Sequence, residues 1–100
     1  MPLVATTTHP GLGRLVTLSG LSARPLKLTP REATTIAAAL AAVRDGSSAV
    51  PDVYLSPIAC DDEFHALVEP DGLRCGDRLL PWDVVAELSA ALEARAAETV

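Results

Sequence analysis

One stretch of this chain declares its secondary structure at both ends. Thr29-Pro30-Arg31-Glu32 opens a helix and Gly46 closes it. A threonine at the N-cap accepts from an orphan backbone N–H. Pro30, at the first helical position, has no N–H to satisfy, and Glu32 at the third can reach back to the N-cap amide. Leu28 and Ala33 are spaced for a hydrophobic staple across this start. A glycine just past the last turn takes the left-handed conformation that ends helices. Within these bounds Ile36, Leu40 and Val43 recur at i, i+4 and i+7, and Ala33 and Ala37 widen the stripe. That face must meet a core. The other side carries Thr34, Thr35, Ala38, Ala41, Ala42 and Asp45. It is small and nearly uncharged where a solvated helix shows Glu, Lys or Arg.

A helix fixed at 29–45 forces the question of what covers it. On its N-terminal side, residues 13–19 alternate loosely, as a strand does when both faces are partly covered. Gly20 to Ala23 reads as a turn, and residues 25–28 as a short strand completing a hairpin. Pro25 cannot donate to a ladder, so this strand belongs at an edge. Residues 1–12 hold two prolines, a Thr run and Gly11, and read as a flexible N-terminal arm, with His9 in a loop. After Gly46 come strands near 53–58, 64–69, 72–75 and 78–80. They are punctuated by the turn Glu69-Pro70-Asp71-Gly72 and the two-residue connection Gly76-Asp77. Pro81-Trp82-Asp83 opens a last helix over 81–98, with Pro81 at its first position. Its inner stripe is Val84, Val85, Leu88, Ala91, Leu92 and Arg95, and Asp83, Glu87, Ala90, Ala94 and Glu98 face outward. The expectation is an α+β domain over 13–100, with one small antiparallel sheet and two helices on the same face.

Composition bounds the function. The 100 residues are 49% hydrophobic yet hold one Phe, one Tyr and one Trp, and the formal charge is −5. Such a chain is too apolar to be disordered throughout. It lacks the basic surface that direct nucleic-acid binding needs. Two cysteines make no disulfide framework, and no apolar run approaches the ~18 residues of a membrane span. Few aromatics mean less area buried per core residue. Burial between subunits would offset this, which favours a homodimer. The start Met-Pro-Leu lacks the basic and apolar regions of a secretory signal, and with two cysteines this points to the cytoplasm.

The segment Leu28 to Val43, LTPREATTIAAALAAV, resembles a pattern in many small actinobacterial and actinophage proteins. In these a short strand runs into an LTPxEA start and an Ala/Leu helix. The resemblance covers about a sixth of the chain. It implies a high-GC bacterial or phage source and carries over no catalytic or binding residue.

Three groups of residues, and Trp82, are candidates for chemistry or contact. Cys60, His65 and Cys75, with Asp61 and Asp62 nearby, offer zinc-type ligands or a Cys–His nucleophile pair, though no CxxC or HxxxH clamp is present. The plainer reading is two free thiols and an exposed strand histidine, and a Cys60–Cys75 disulfide is a further option. Asp61-Asp62-Glu63 is either an acidic docking patch or a solvated connector. Thr35, Ala38, Ala41 and Ala42 are either an interface strip or high-propensity alanines facing water. Trp82 is an interface anchor or a core residue. The combined expectation is a small acidic protein–protein interaction module. It would be homodimeric and non-enzymatic, with no cofactor, and would act as an accessory subunit, a regulator or a phage-type inhibitor. The alternative is a thiol- or metal-dependent site on Cys60, His65 and Cys75.

Overall fold

The computed structural model describes residues 3–21 and 24–98. In chain order the elements are β1 (Leu3–His9), β2 (Gly13–Ser19), β3 (Leu26–Leu28), α1 (Pro30–Asp45), β4 (Asp52–Leu55), β5 (Phe64–Glu69), β6 (Gly72–Cys75), β7 (Arg78–Pro81) and α2 (Trp82–Glu98). The fold is α+β, with two helices and antiparallel sheets.

Helix α1 forms as its local signals dictate. Glu32 N donates to Thr29 Oγ1 at 3.2 Å and Thr29 N donates to Glu32 Oε1 at 2.9 Å, completing the capping box. Gly46 adopts φ 84°, the left-handed cap. Ala33, Ile36, Ala37, Leu40 and Val43 are the buried stripe. Glu32 does more than cap. Its Oε2 accepts from the Ile58 N–H at 3.2 Å, tying the helix start to the connection after β4.

The sheet differs from expectation in two respects. Among the described residues there are two sheets, β1-β2-β3 and β4-β5-β6-β7. The first gains a strand where the sequence suggested an arm. Leu3–His9 pairs with β2 along seven positions, from Leu3 opposite Ser19 to His9 opposite Gly13. A Thr-rich segment with Val4 has high strand preference once a neighbour is present to pair with. His9, read as a loop residue, ends β1, and its Nδ1 accepts from the N–H groups of Gly11 and Leu12 at 3.0 Å. The expected turn over 20–23 lies partly outside the described residues, at 22 and 23.

Leu15 and Val16, adjacent in β2, are both buried, so both sides of that strand are covered at this level. β4 stops at Leu55, before Pro57. Pro81 closes the edge strand β7, where its missing N–H costs no ladder bond, and the helix starts one residue later. Gly72 lies where β6 and β7 come closest. A Cβ there would sit 1.9 Å from the Leu80 carbonyl oxygen, so only glycine fits.

One core joins both sheets and both helices. It runs from Val16, Leu18, Leu26 and Leu28 through Ile36 and Leu40 to Phe64, Leu73, Val85 and Leu92. The helices pack against each other, α1 also touching β2, β3 and β4, and α2 touching β1, β2, β6 and β7. Helix α2 is turned relative to the expected stripe. Val85, Leu88, Ser89, Leu92 and Ala96 are its buried residues, while Arg95 is exposed and pairs with Glu98 at 3.0 Å. Ser89 occupies the helix–helix contact because its hydroxyl is satisfied there, donating to the Ala37 carbonyl at 2.8 Å. Among the described residues no helix is long and apolar enough to cross a membrane.

Candidate interaction surfaces

The register of the second sheet sorts its side chains. Val53 pairs with Ala66 and Val68 with Leu73, placing Phe64, Ala66, Val68, Leu73 and Cys75 towards the core. The alternate residues, Asp52, Tyr54, His65, Leu67, Glu69, Arg74 and Leu79, fall on the other face, where all are exposed or half-buried. Tyr54 is 56% exposed and Leu67 46%. Tyr54 and His65 stand opposite each other, with ring centroids 5.8 Å apart in an edge-on contact. Polar pairs frame them. His65 Nε2 lies 2.8 Å from Asp52 Oδ2, and Arg74 Nε donates to Glu69 Oε2 at 2.8 Å. The Tyr54 hydroxyl donates to Glu63 Oε2 at 2.6 Å. That hydrogen bond, with the charge of Glu63, holds the phenol above the ordinary tyrosine range. Exposed apolar groups interleaved with polar pairs are a mixture that protein contact surfaces also carry.

This face was not legible in the sequence as a site. Tyr54 was read simply as part of a strand. The alternation of His65, Leu67 and Glu69 was the available signal, but Tyr54 joins them only through the pairing of β4 with β5.

The residues singled out from the sequence are dispersed. Cys75 is buried on the core side, and burial pushes its thiol above the usual range. His65 has its ring nitrogen on Asp52, on the open face. Strand alternation thus puts the Cys75 and His65 side chains on opposite faces of the sheet. A raised thiol pKa is also the reverse of nucleophile activation. Cys60 is half-buried in the connection after β4, its Sγ 3.8 Å from the Lys27 carbonyl and 3.7 Å from that of Asp62. Both cysteines are free thiols. A cleft of about 420 Å³ is bordered by Leu21, Leu26, Glu63, Phe64, His65, Cys75, Gly76 and Asp77. Among the described residues no three His, Cys, Asp or Glu side chains are grouped to hold a metal ion.

The acidic run is partly engaged within the chain. Asp62 accepts from Arg24 at 2.8 Å, Glu63 holds Tyr54, and Asp61 is exposed. On α1, Thr35 and Ala38 are exposed and Ala41 and Ala42 half-buried, while the Thr35 hydroxyl turns back to the Arg31 carbonyl at 2.9 Å. The strip therefore presents methyl groups in place of hydrogen-bonding ones. Trp82 is half-buried against the core, and its indole N–H donates to the Pro70 carbonyl at 2.9 Å, joining α2 to the β5–β6 turn. No family model, curated protein or solved structure matches this chain.

Proposed function

We propose that this protein is a small acidic interaction module that works as a homodimer and binds a protein partner, as an accessory subunit, a regulator or a phage-type inhibitor. The observation that carries the reading is the open face of the second sheet. It presents an exposed tyrosine and leucine on one face, beside the polar pairs Asp52–His65 and Glu69–Arg74. Tyrosine is enriched among residues that dominate binding energy, because it covers much area at low entropic cost. The α1 strip around Ala38 and Ala42 is the second contact surface on this reading.

The test is affinity co-purification from an actinobacterial host, read by mass spectrometry, with variants matched for folding by circular dichroism. Wild-type chain should retain a protein in stoichiometric amount, and Leu67→Glu should lose it. Equal recovery by Leu67→Glu would overturn the sheet face as the contact, and loss in Ala42→Glu alone would assign the partner to α1. Recovery of nothing but the chain itself would overturn the partner.

A further inference from the structure

Among the described residues, the outer edge of β1 differs from every other sheet edge. Sheet edges expose rows of N–H and C=O groups, and proteins blunt them with short strands, charges or prolines. Three of the four edges here follow that rule. β3 has three residues and presents Lys27. β4 has four and opens on Asp52. β7 has four, with Arg78 at one end and Pro81 at the other. β1 has seven residues, LVATTTH, with no Asp, Glu, Lys, Arg or Pro. Its register with β2 is unbroken, so no bulge twists it away. Leu3 on this strand is 67% exposed, and Ala5, Thr7 and Thr8 are exposed as well.

We propose that β1 is the homodimer interface, where two copies of this chain pair β1 to β1, antiparallel about a two-fold axis, into a continuous six-stranded sheet. The inference rests on the homodimer reading above and names its surface, leaving the open face of the second sheet and the α1 strip to the partner. The occupant follows from self-complementarity. A two-fold join that keeps both core faces on one side places residues of equal parity opposite each other. Centred on Thr6, it pairs Thr6 with Thr6, Val4 with Thr8, Ala5 with Thr7 and Leu3 with His9. All seven positions are used, no like charges meet, and half-buried Val4 and Thr6 stay on the core side. Threonine and β-branched cross-strand pairs are favourable. Leu3 gains a neighbour in His9 of the second copy. Helix α2, which packs against β1, would lie beside its counterpart on the same side of the joined sheet.

The test sets charges on the axis. Light scattering across a dilution series should give wild type a mass of twice 10.4 kDa. Thr6→Lys and Thr6→Glu each oppose like charges at the two-fold, and each should raise the dimer dissociation constant at least about tenfold. Mixing the two should restore a heterodimer, because Lys then faces Glu. Hydrogen exchange on wild type needs no substitution: concentrating the chain should protect alternate amides of Leu3–His9. A monomeric wild type would overturn the homodimer reading and this interface together. A dimer unaffected by both Thr6 variants, with β1 amides exchanging equally at all concentrations, would overturn the β1 interface alone.

Discussion

At the residue scale, Cys75 shows how position in a strand decides chemistry. It ends β6 on the core side, where charge is poorly solvated, so folding favours the thiol over the thiolate. The folded pKa lies above the unfolded one. The native state therefore holds this proton more tightly, and the site's contribution to stability is complete below the unfolded thiol value, about pH 8.5. It is lost as pH rises through the folded value. Denaturant midpoints for wild type should fall above about pH 8.5, and Cys75→Ala should fall less steeply. Parallel declines would show that the burial of this thiol is not linked to folding. Native alkylation supplies a companion reading: half-buried Cys60 should be modified before Cys75, and the two should react alike once the chain is unfolded.

At the scale of elements, the contact between α1 and α2 turns on Ser89. A buried hydroxyl without a partner would be costly, but this one donates to the Ala37 carbonyl at 2.8 Å, beside a helix face of small residues. Ser89→Ala removes that bond from a carbonyl within the α1 ladder and should cost about 1 kcal/mol. Ser89→Leu must instead push the helices apart and should cost about 2–3 kcal/mol. Thermal melts of the two variants check the order, and a leucine as well tolerated as alanine would mean the helices do not meet closely at this point. Ser89 also marks the limit of what periodicity could reveal. Helix α1 was legible in full, because its cap, stripe and terminator are all local. Helix α2 was legible in extent but not in rotation. Ser89 was left out of the inner stripe and Arg95 was placed in it, since hydropathy cannot register a hydroxyl satisfied by another helix. β1 was missed for a related reason. Its threonines become a strand by pairing with β2, and nothing within Leu3–His9 announces that pairing. The split into two sheets, and the placement of Tyr54 on the same face as Leu67, likewise depend on pairings between distant segments.

At the scale of the whole molecule, the two sheets form separate hydrogen-bonded ladders yet share a single apolar cluster through the helices. Cooperative unfolding must then be carried by packing, because no strand links one ladder to the other among the described residues. Leu18 and Trp82 make this testable. Leu18 lies in β2 of the first sheet and is 1% exposed. Trp82, the one tryptophan, is tied by its indole to the β5–β6 turn of the second. Leu18→Ala leaves a cavity and should destabilise the chain by about 3 kcal/mol. If the helices couple the sheets, Trp82 fluorescence should report that full loss although the substitution is in the other sheet. Its midpoint should also coincide with that of far-UV circular dichroism, as two-state unfolding requires. Were the sheets independent, the fluorescence midpoint would stay near the wild-type value while circular dichroism showed an early transition. The helices would then be a shared cover over two separately stable units, and substitutions in one sheet would leave the stability of the other unchanged.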